Sequence, residues 1–343
     1  MRLSICIPTY NRARHLRNCL RSIASSGIMQ HSGVEVCISD NGSSDDTAQI
    51  VEEAKQLVPL RYERNQENLG IPANFLKVVD MATGEFAWLV GDDDLLMPEA
   101  LKTLLELIEK HPHVDFFYVN SFHLTTEFVL SHPQPFDVSN LPSDMQPFST
   151  RKKDGELAFF DLIDPKISFD FLGGMFLSVF RREKWLENAG VLNAKAIKDM
   201  RTFAYFDNTF PHVKIFAKAF SGSRAYFQSK PLSVCLSGAR EWAPMYPLVR
   251  SVRLIEALDE YRGNGMSLWR YLECRNFALR YFIPDLVYMI LRREVSGVAY
   301  IKPFRLLAAN AVYPNSYLSL FLYFVRKAKR LIMRLSPSQG LAH

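Results

Sequence analysis

Cysteine is scarce in this chain: Cys6, Cys19, Cys37, Cys235 and Cys274 are five in 343 residues. They are odd in number, scattered, and show no CxxC or Cys/His spacing. That pattern excludes a disulfide framework and a cysteine-built zinc site, and it points to reduced thiols in a cytosolic setting, read here as small core hydrophobes. Long apolar runs are missing as well. The stretch before Pro8 lacks the length of a signal-peptide core, and nowhere do about 18 apolar residues run without a charge. The expectation is a cytoplasmic protein with no membrane span. Internal repeats, low-complexity tracts and recognised nucleic-acid motifs are also lacking, so no nucleic-acid partner is expected.

What is present suffices for a sizeable core: 48% of residues are hydrophobic and 22% charged, which suits one elaborated domain or two intimate ones. The net charge of +5 conceals an asymmetry. Residues 1–150 hold 11 Lys+Arg against 20 Asp+Glu, a balance of −9, while residues 151–343 hold 30 against 16, a balance of +14. An acidic half suits metal, and a basic half suits phosphates or an anionic membrane.

Candidate elements alternate along the first third. Residues 3–7, 34–39, 60–63, 86–90 and 116–120 read as strands, and residues 15–23, 45–57, 72–82 and 98–110 as helices. This spacing predicts βαβ units and an α/β fold with a doubly wound, mainly parallel sheet. Ligands on such sheets sit at the carboxyl ends of the strands, which singles out loops 8–12, 40–46, 64–71 and 91–97. Residues 121–155, rich in Pro, Ser, Asp and Phe, read as a long surface loop or partly mobile lid. A mixed region follows, and then a largely helical tail from Met245 to Leu335.

The strongest constellation is Gly91-Asp92-Asp93-Asp94 directly after the fourth strand. Three adjacent carboxylates repel one another unless a cation neutralises them, and hard oxygen ligands suit Mg²⁺ or Mn²⁺ bridging a diphosphate. The alternative is a solvated acidic turn before the helix at Pro98. In Asp40-Asn41-Gly42-Ser43-Ser44-Asp45-Asp46-Thr47 most residues have a turn or capping role, but Asp40, last on its strand, can accept a hydrogen bond from a nucleobase N–H. Pro8-Thr9-Tyr10-Asn11-Arg12 offers backbone amides, an aromatic ring and a cation. Asn65 to Gly70 leads, with Asn74, into a helix whose free N–H groups can face phosphate, or is simply a turn.

Together and in order, these motifs resemble the nucleotide-binding part of glycosyltransferase family 2, the GT-A fold, over residues 4–120, with Gly84-Glu85 a further match. The likeness is strongest to the O-antigen sugar transferases, abequosyltransferase-like enzymes included. The resemblance implies a nucleotide-sugar donor and a divalent metal. On it, Pro8, Thr9, Tyr10, Asn11, Arg12, Asp40, Asn68, Gly70, Asn74 and Asp92 are donor-binding residues and Asp93 and Asp94 metal ligands. Gly91 stands where many members place the first Asp, leaving open which carboxylate meets the metal. Inverting members use an Asp or Glu roughly a hundred residues later as base, which implies Asp207, with Asp199 and Asp170 in reserve; the alternative for Asp207 is a helix cap. Phe169 to Phe176 resembles the family's acceptor-side strand, with Gly173 and Gly174 allowing close approach of a sugar. His212 either assists there or is structural, Arg181-Arg182 meets either diphosphate or solvent, and Arg240 and Trp242 suit a lid.

The expected organisation is a nucleotide-sugar-binding half (1–120), an acceptor-binding half with a long loop (121–240) and a helical basic extension (241–343). Nine Lys/Arg and one acid fall between Arg292 and Arg334, running out of an apolar stretch, Tyr317 to Val325. That suits a helix lying in a lipid interface, hence a peripheral location on the inner face of the cytoplasmic membrane; the alternative is a helix packed on the catalytic part. The expected function is transfer of a sugar to a glycan or lipid-linked acceptor, in lipopolysaccharide, O-antigen or other envelope polysaccharide synthesis. The rivals are a nucleotidyltransferase, which would open with a Gly-rich phosphate loop absent here, and a non-catalytic sugar-binding scaffold.

Overall fold

A computed structural model describes residues 1–238 and 242–335. Four βα units come first: β1 (Leu3–Thr9), α1 (Ala13–Ser25), β2 (Val34–Asp40), α2 (Thr47–Ala54), β3 (Leu60–Arg64), α3 (Ile71–Asp80), β4 (Phe86–Leu89), then the two-residue β5 (Leu95–Leu96) and α4 (Ala100–Lys110). Next come β6 (Phe116–Thr125), α5 (Thr126–Leu130), β7 (Gln146–Pro147), β8 (Gly155–Ala158), β9 (Ser178–Arg181), α6 (Arg182–Asn188), α7 (Ala194–Ile197), α8 (Phe206–Thr209), α9 (Pro211–Ala219) and β10 (Arg224–Ser237). The tail is helical: α10 (Tyr246–Leu248), α11 (Leu254–Gly263), α12 (Leu268–Ala278), α13 (Phe282–Leu291), α14 (Pro303–Asn310) and α15 (Pro314–Leu335).

One sheet runs β3-β2-β1-β4-β9-β6-β10-β5, with β7 beside β6 and β8 beside β10. The first four strands are parallel, β9 is antiparallel to both β4 and β6, and β6 is parallel to β10. β1 and β2 are buried along their whole length, which is why they read as continuous apolar runs rather than alternating ones. One face of the sheet packs Leu16, Leu20 and Ile23 of α1 and Leu101 and Leu104 of α4. The other packs Val78 and Val79 of α3, Phe216 of α9 and Leu258 of α11 in a single core with Leu279, Phe282 and Met289 of the tail. The helical extension thus shares its core with the sheet.

The region 121–155, expected as a long loop, is ordered instead by extension of β6 to Thr125 and by a small core of its own. Phe136 is fully buried there with Leu95, Val129, Val234 and Leu236, and Asn18 on α1 donates to Gln134 at 2.8 Å. The Pro and Ser density marked turns between packed anchors, not absence of packing.

Candidate active site

β1, β2, β3 and β4 bring Thr9, Asp40, Arg64 and Leu89 to one edge of the sheet. The loops that follow are cross-braced by asparagine amides, which satisfy backbone groups that no strand pairs. Asn41 Nδ2 donates to Asn68 Oδ1 and Asn41 Oδ1 accepts from Leu69 N, both at 2.8 Å. Asn74 Nδ2 donates to the Ser39 carbonyl at 2.9 Å, and its Oδ1 accepts from Ser39 Oγ at 2.7 Å. Asn11, at φ 51°, accepts from Ser44 N at 2.7 Å, and its own N–H donates to Ser43 Oγ at 2.8 Å. Asn11, Asn68 and Asn74, expected on the donor, are therefore occupied as braces between loops. Gly70, at φ 84°, turns the same loop, and a Cβ there would stand 3.3 Å from Met200 Sδ.

Asp40 is fully buried. Its Oδ1 accepts from Ser43 N at 2.8 Å and its Oδ2 from the Tyr62 hydroxyl at 2.7 Å, so a base N–H reaches Asp40 at the lone pairs these two donors leave. Burial, reinforced by the Asp40 carboxylate, raises the Tyr62 hydroxyl above its usual value. Sequence reasoning missed Tyr62, although its place on β3, opposite Ile38 and two residues before the Arg64 that pairs with Asp40, was a usable signal. Pro8 and Thr9 are buried in the strand end, whereas Tyr10 is exposed at the mouth.

The acidic loop folds on itself. Gly91 N donates to Asp94 Oδ2 and Asp94 N to the Gly91 carbonyl, each at 3.1 Å. A Cβ at Gly91 would lie 2.8 Å and 2.9 Å from the oxygens of Asp94 and Asp93, so a side chain there would push both carboxylates out of this arrangement. Thr9 Oγ1 donates to Asp92 Oδ2 at 2.8 Å, and Arg12 reaches Asp93 at 3.1 Å and Asp92 at 3.5 Å. Arg12 thus supplies a resident cation for the repulsion that the sequence left to a metal. Burial, then the neighbouring Asp93 charge, pushes the Asp92 carboxyl up to about 7. Asp93 alone of the three is not buried, though its side chain is only 12% accessible, and Asp94 is spent largely on the turn. Among the described residues no group of three or more His, Cys, Asp or Glu side chains is arranged to hold a metal.

The glycosyl transferase family 2 sequence profile matches residues 4–171. Abequosyltransferase RfbV of Salmonella typhimurium is 29% identical over 290 residues, 80% of this chain and 79% of that one. The chain belongs to glycosyltransferase family 2. A Campylobacter jejuni GalNAc(5)-diNAcBac-PP-undecaprenol β-1,3-glucosyltransferase is 34% identical over 116 residues, a third of this chain and 37% of that protein. The fold is GT-A: TarS of Staphylococcus aureus, residues 1–349 in complex with UDP-GlcNAc, superposes with a TM-score of 0.52 at 16% identity, covering 94% of this chain and 91% of that one.

In this glycosyltransferase β9 runs against β4, so the loop 169–177 ahead of it lies at the same edge as the acidic turn; Trp88 Nε1 on β4 donates to the Phe176 carbonyl at 2.8 Å. Phe171 and Leu172 stand at φ 51° and 68°, a cost of order 1–3 kcal/mol each that the surrounding packing must hold. Gly173 and Gly174 are needed by the loop itself, because a Cβ would meet the Asp170 carbonyl and Phe210 at 3.0–3.1 Å, or the Asp170 carboxylate at 2.8 Å. His212 is buried beneath this loop, its Nε2 3.1–3.2 Å from the carbonyls of Leu172 and Gly173, and desolvation lowers it to about 4. It is a neutral brace, not an acceptor contact.

Asp207 is not placed as an open base. It is buried, accepts from Asn193 N at 2.6 Å, and holds Lys214 Nζ at 2.9 Å and 3.0 Å. Asp199 is clamped by Arg201, which brings its carboxyl down to about 2, a value unsuited to taking a proton near neutrality. Asp170 is the third carboxyl: half-buried, hydrogen-bonded to Ser168 Oγ and, at 2.9 Å, to Gly174 N, and raised by desolvation. Arg181 pairs with Glu85 and Asp115 at the far end of β9, and Arg182 donates to the carbonyls of Val79 and Asp80, so neither faces a diphosphate. Trp242 packs edge-on against Phe203 at 5.1 Å; Arg240 lies outside the described residues. No described helix is long and apolar enough to cross a membrane.

Proposed function

We propose that this glycosyltransferase moves a sugar from a nucleotide-sugar donor onto a glycan or lipid-linked acceptor during synthesis of lipopolysaccharide, O-antigen or related cell-envelope polysaccharide. The observation that carries the reading is the convergence of four cross-braced loops on one sheet edge around the Asp92 to Asp94 turn. The near full-length likeness to an abequosyltransferase supports the pathway. Tyr10 and Asp40 would hold the base, Asp92 the ribose, and Thr9 and Arg12 would set the Asp92 and Asp93 carboxylates.

The acidic turn fits a divalent Mg²⁺ or Mn²⁺: its donors are hard oxygens, and their negative charge already draws the Arg12 guanidinium against Asp92 and Asp93. Asp93 would hold the ion, with Asp92 or Asp94 as the second carboxylate. When bound, such an ion supplies neutralisation of the departing diphosphate. Asp170 suits the base, because a carboxyl raised by desolvation at this edge can accept the acceptor hydroxyl's proton; Asp207 would do so only after releasing Lys214.

The test is a panel of UDP-, GDP-, CDP- and dTDP-sugars titrated with and without Mn²⁺, followed by turnover of variants. Asp93→Ala should lose metal-dependent donor binding and about a hundredfold or more in rate. Asp170→Asn should lose rate with donor affinity retained, more so than Asp207→Asn. Binding of no donor, or normal turnover by Asp93→Ala, overturns the reading; a dead Asp207→Asn beside an active Asp170→Asn returns the base to Asp207.

A further inference from the structure

Three aromatic rings from separated parts of the chain meet at the edge of the sheet just described. His123 is exposed on the extended end of β6, Phe148 follows β7, and Phe169 opens the loop that carries Asp170. His123 stacks on Phe148 with centroids 3.5 Å apart and planes 24° apart. Phe148 and Phe169 are nearly parallel, 9° apart, with centroids at 5.7 Å; His123 and Phe169 are 6.2 Å apart. A ring 3.5 Å away in a near-parallel plane lies above its partner. The other two distances then make nearly a right angle at Phe148, so Phe169 lies beside Phe148 and level with it, not in the pile. The result is a step: Phe169 and Phe148 form a floor, and His123 stands over one half of it as a wall. Phe176 meets Phe148 edge-on at 5.0 Å, 67° between planes, and anchors the floor in the core.

Register fixes where the step lies. Leu95, next to Asp94, pairs with Val234 on β10, and Val234 pairs with Phe122 on β6, so His123 is about two strand spacings, roughly 10 Å, from the acidic turn. From Asp40 at the end of β2 the sheet crosses β1, β4 and β9 before reaching β6, about 19 Å. That is too far for the floor to be part of a base site built on Asp40 and Tyr10.

We infer that this step is a binding site for the terminal pyranose ring of the acceptor, its C–H face on Phe169 and its hydroxyls against the edge of His123. A half-buried aromatic face beside a polar imidazole edge matches a sugar, which is apolar on its faces and polar at its rim. Asp170 directly follows the floor residue, so the carboxyl proposed as base is carried by the same loop. The inference rests on the transferase reading and adds to it the surface that selects the acceptor.

The probe is a set of methyl α- and β-pyranosides at millimolar concentration, read by saturation-transfer NMR on the full chain, with nucleoside diphosphate binding measured on the same samples. The wild type should pass saturation to the ring C–H protons of at least one pyranoside. Phe169→Ala should reduce that signal at least fivefold and Phe169→Tyr should keep it, both retaining the wild-type circular dichroism spectrum. Where a transferable acceptor is found, Phe169→Ala and His123→Ala should raise its KM about tenfold and lower kcat less than twofold. No saturation of any pyranoside by the wild type, or an unchanged signal in Phe169→Ala, overturns the step as a sugar site whatever the nucleotide does. Failure of all nucleoside diphosphates to bind, with pyranoside saturation intact, overturns the transferase reading alone.

Discussion

A carboxyl that keeps its proton near neutrality destabilises the folded chain when it ionises. Asp92 titrates near 7 in the fold, against 3.8 for the free side chain, because it is buried and sits beside Asp93. Over the window from about 4 to 7 the native chain binds a proton that the unfolded chain has released, so stability falls as pH rises through that window and levels off above it. Asp92→Asn cannot ionise and still accepts from Thr9. In the metal-free protein the variant should match wild type near pH 4 and exceed it by ~2 kcal/mol near pH 8, measured by urea unfolding. A parallel pH dependence in the two proteins would mean that Asp92 is already ionised at neutrality. The carboxylates at this turn were legible from the sequence because charge is written in residue type. Their division of labour was not, since it depends on Gly91 letting Asp94 fold back and on Arg12, eighty residues earlier, arriving beside Asp93.

The alternating elements of the first third were readable for a physical reason: each buried parallel strand is a short apolar run bounded by Pro, Gly or Asp, and each helix carries a 3.6-residue stripe. Readability ended where pairing is long-range. β5 is two residues long, β9 is antiparallel in an otherwise parallel neighbourhood, and β6 continues to Thr125 only because β10 pairs with it across a bulge. The loops show the same limit. Asn68 and Asn74 were expected on the donor because their motif is local, but their amides are consumed by Asn41 and Ser39 from the neighbouring unit. Asn74→Ala removes four buried hydrogen bonds, to Ser39 Oγ, the Ser39 carbonyl, Asn65 Nδ2 and, at 3.5 Å, the Thr9 carbonyl, and leaves those groups without that partner. It should lower stability by about 2 kcal/mol as a shift in urea midpoint at unchanged slope, and weaken donor binding only in proportion to loop disorder. A loss under ~0.5 kcal/mol with donor binding abolished would instead make Asn74 a direct ligand.

At the scale of the whole molecule the notable feature is a helix packed with its polar side inward. α15 sets Ser316 and Ser319 against α13 and its neighbours, with Ser319 Oγ accepting from Ile283 N at 3.2 Å and Ser316 Oγ donating to the Asn310 carbonyl at 2.7 Å. Tyr317, Phe321 and Phe324 point outward at 68%, 64% and 59% exposure, and Leu291, Phe304 and Trp269 are exposed elsewhere on the same helical tail. Outward aromatic side chains on a tail that also carries Arg292, Arg293, Lys302, Arg305 and Lys327 suit an interface of lipid tails and anionic headgroups, each cation near the surface contributing about 1 kcal/mol before screening. The sequence offered the apolar stretch and the charges but not their direction, because an amphipathic helix reads alike whether its apolar side faces core or lipid. Direction also determines the useful variant. Deleting 315–343 would strip the serine face from α13 and confound unfolding with detachment, whereas Phe321→Ser with Phe324→Ser alters only exposed positions. Wild-type protein should co-sediment with vesicles containing about a third anionic lipid, less so as salt rises past a Debye length of about 8 Å, and the double variant should bind at least tenfold more weakly with an unchanged melting temperature. Absence of sedimentation at low salt, together with a dimer that the same two substitutions dissolve, would assign the face to a second copy of the chain and remove the membrane from the account.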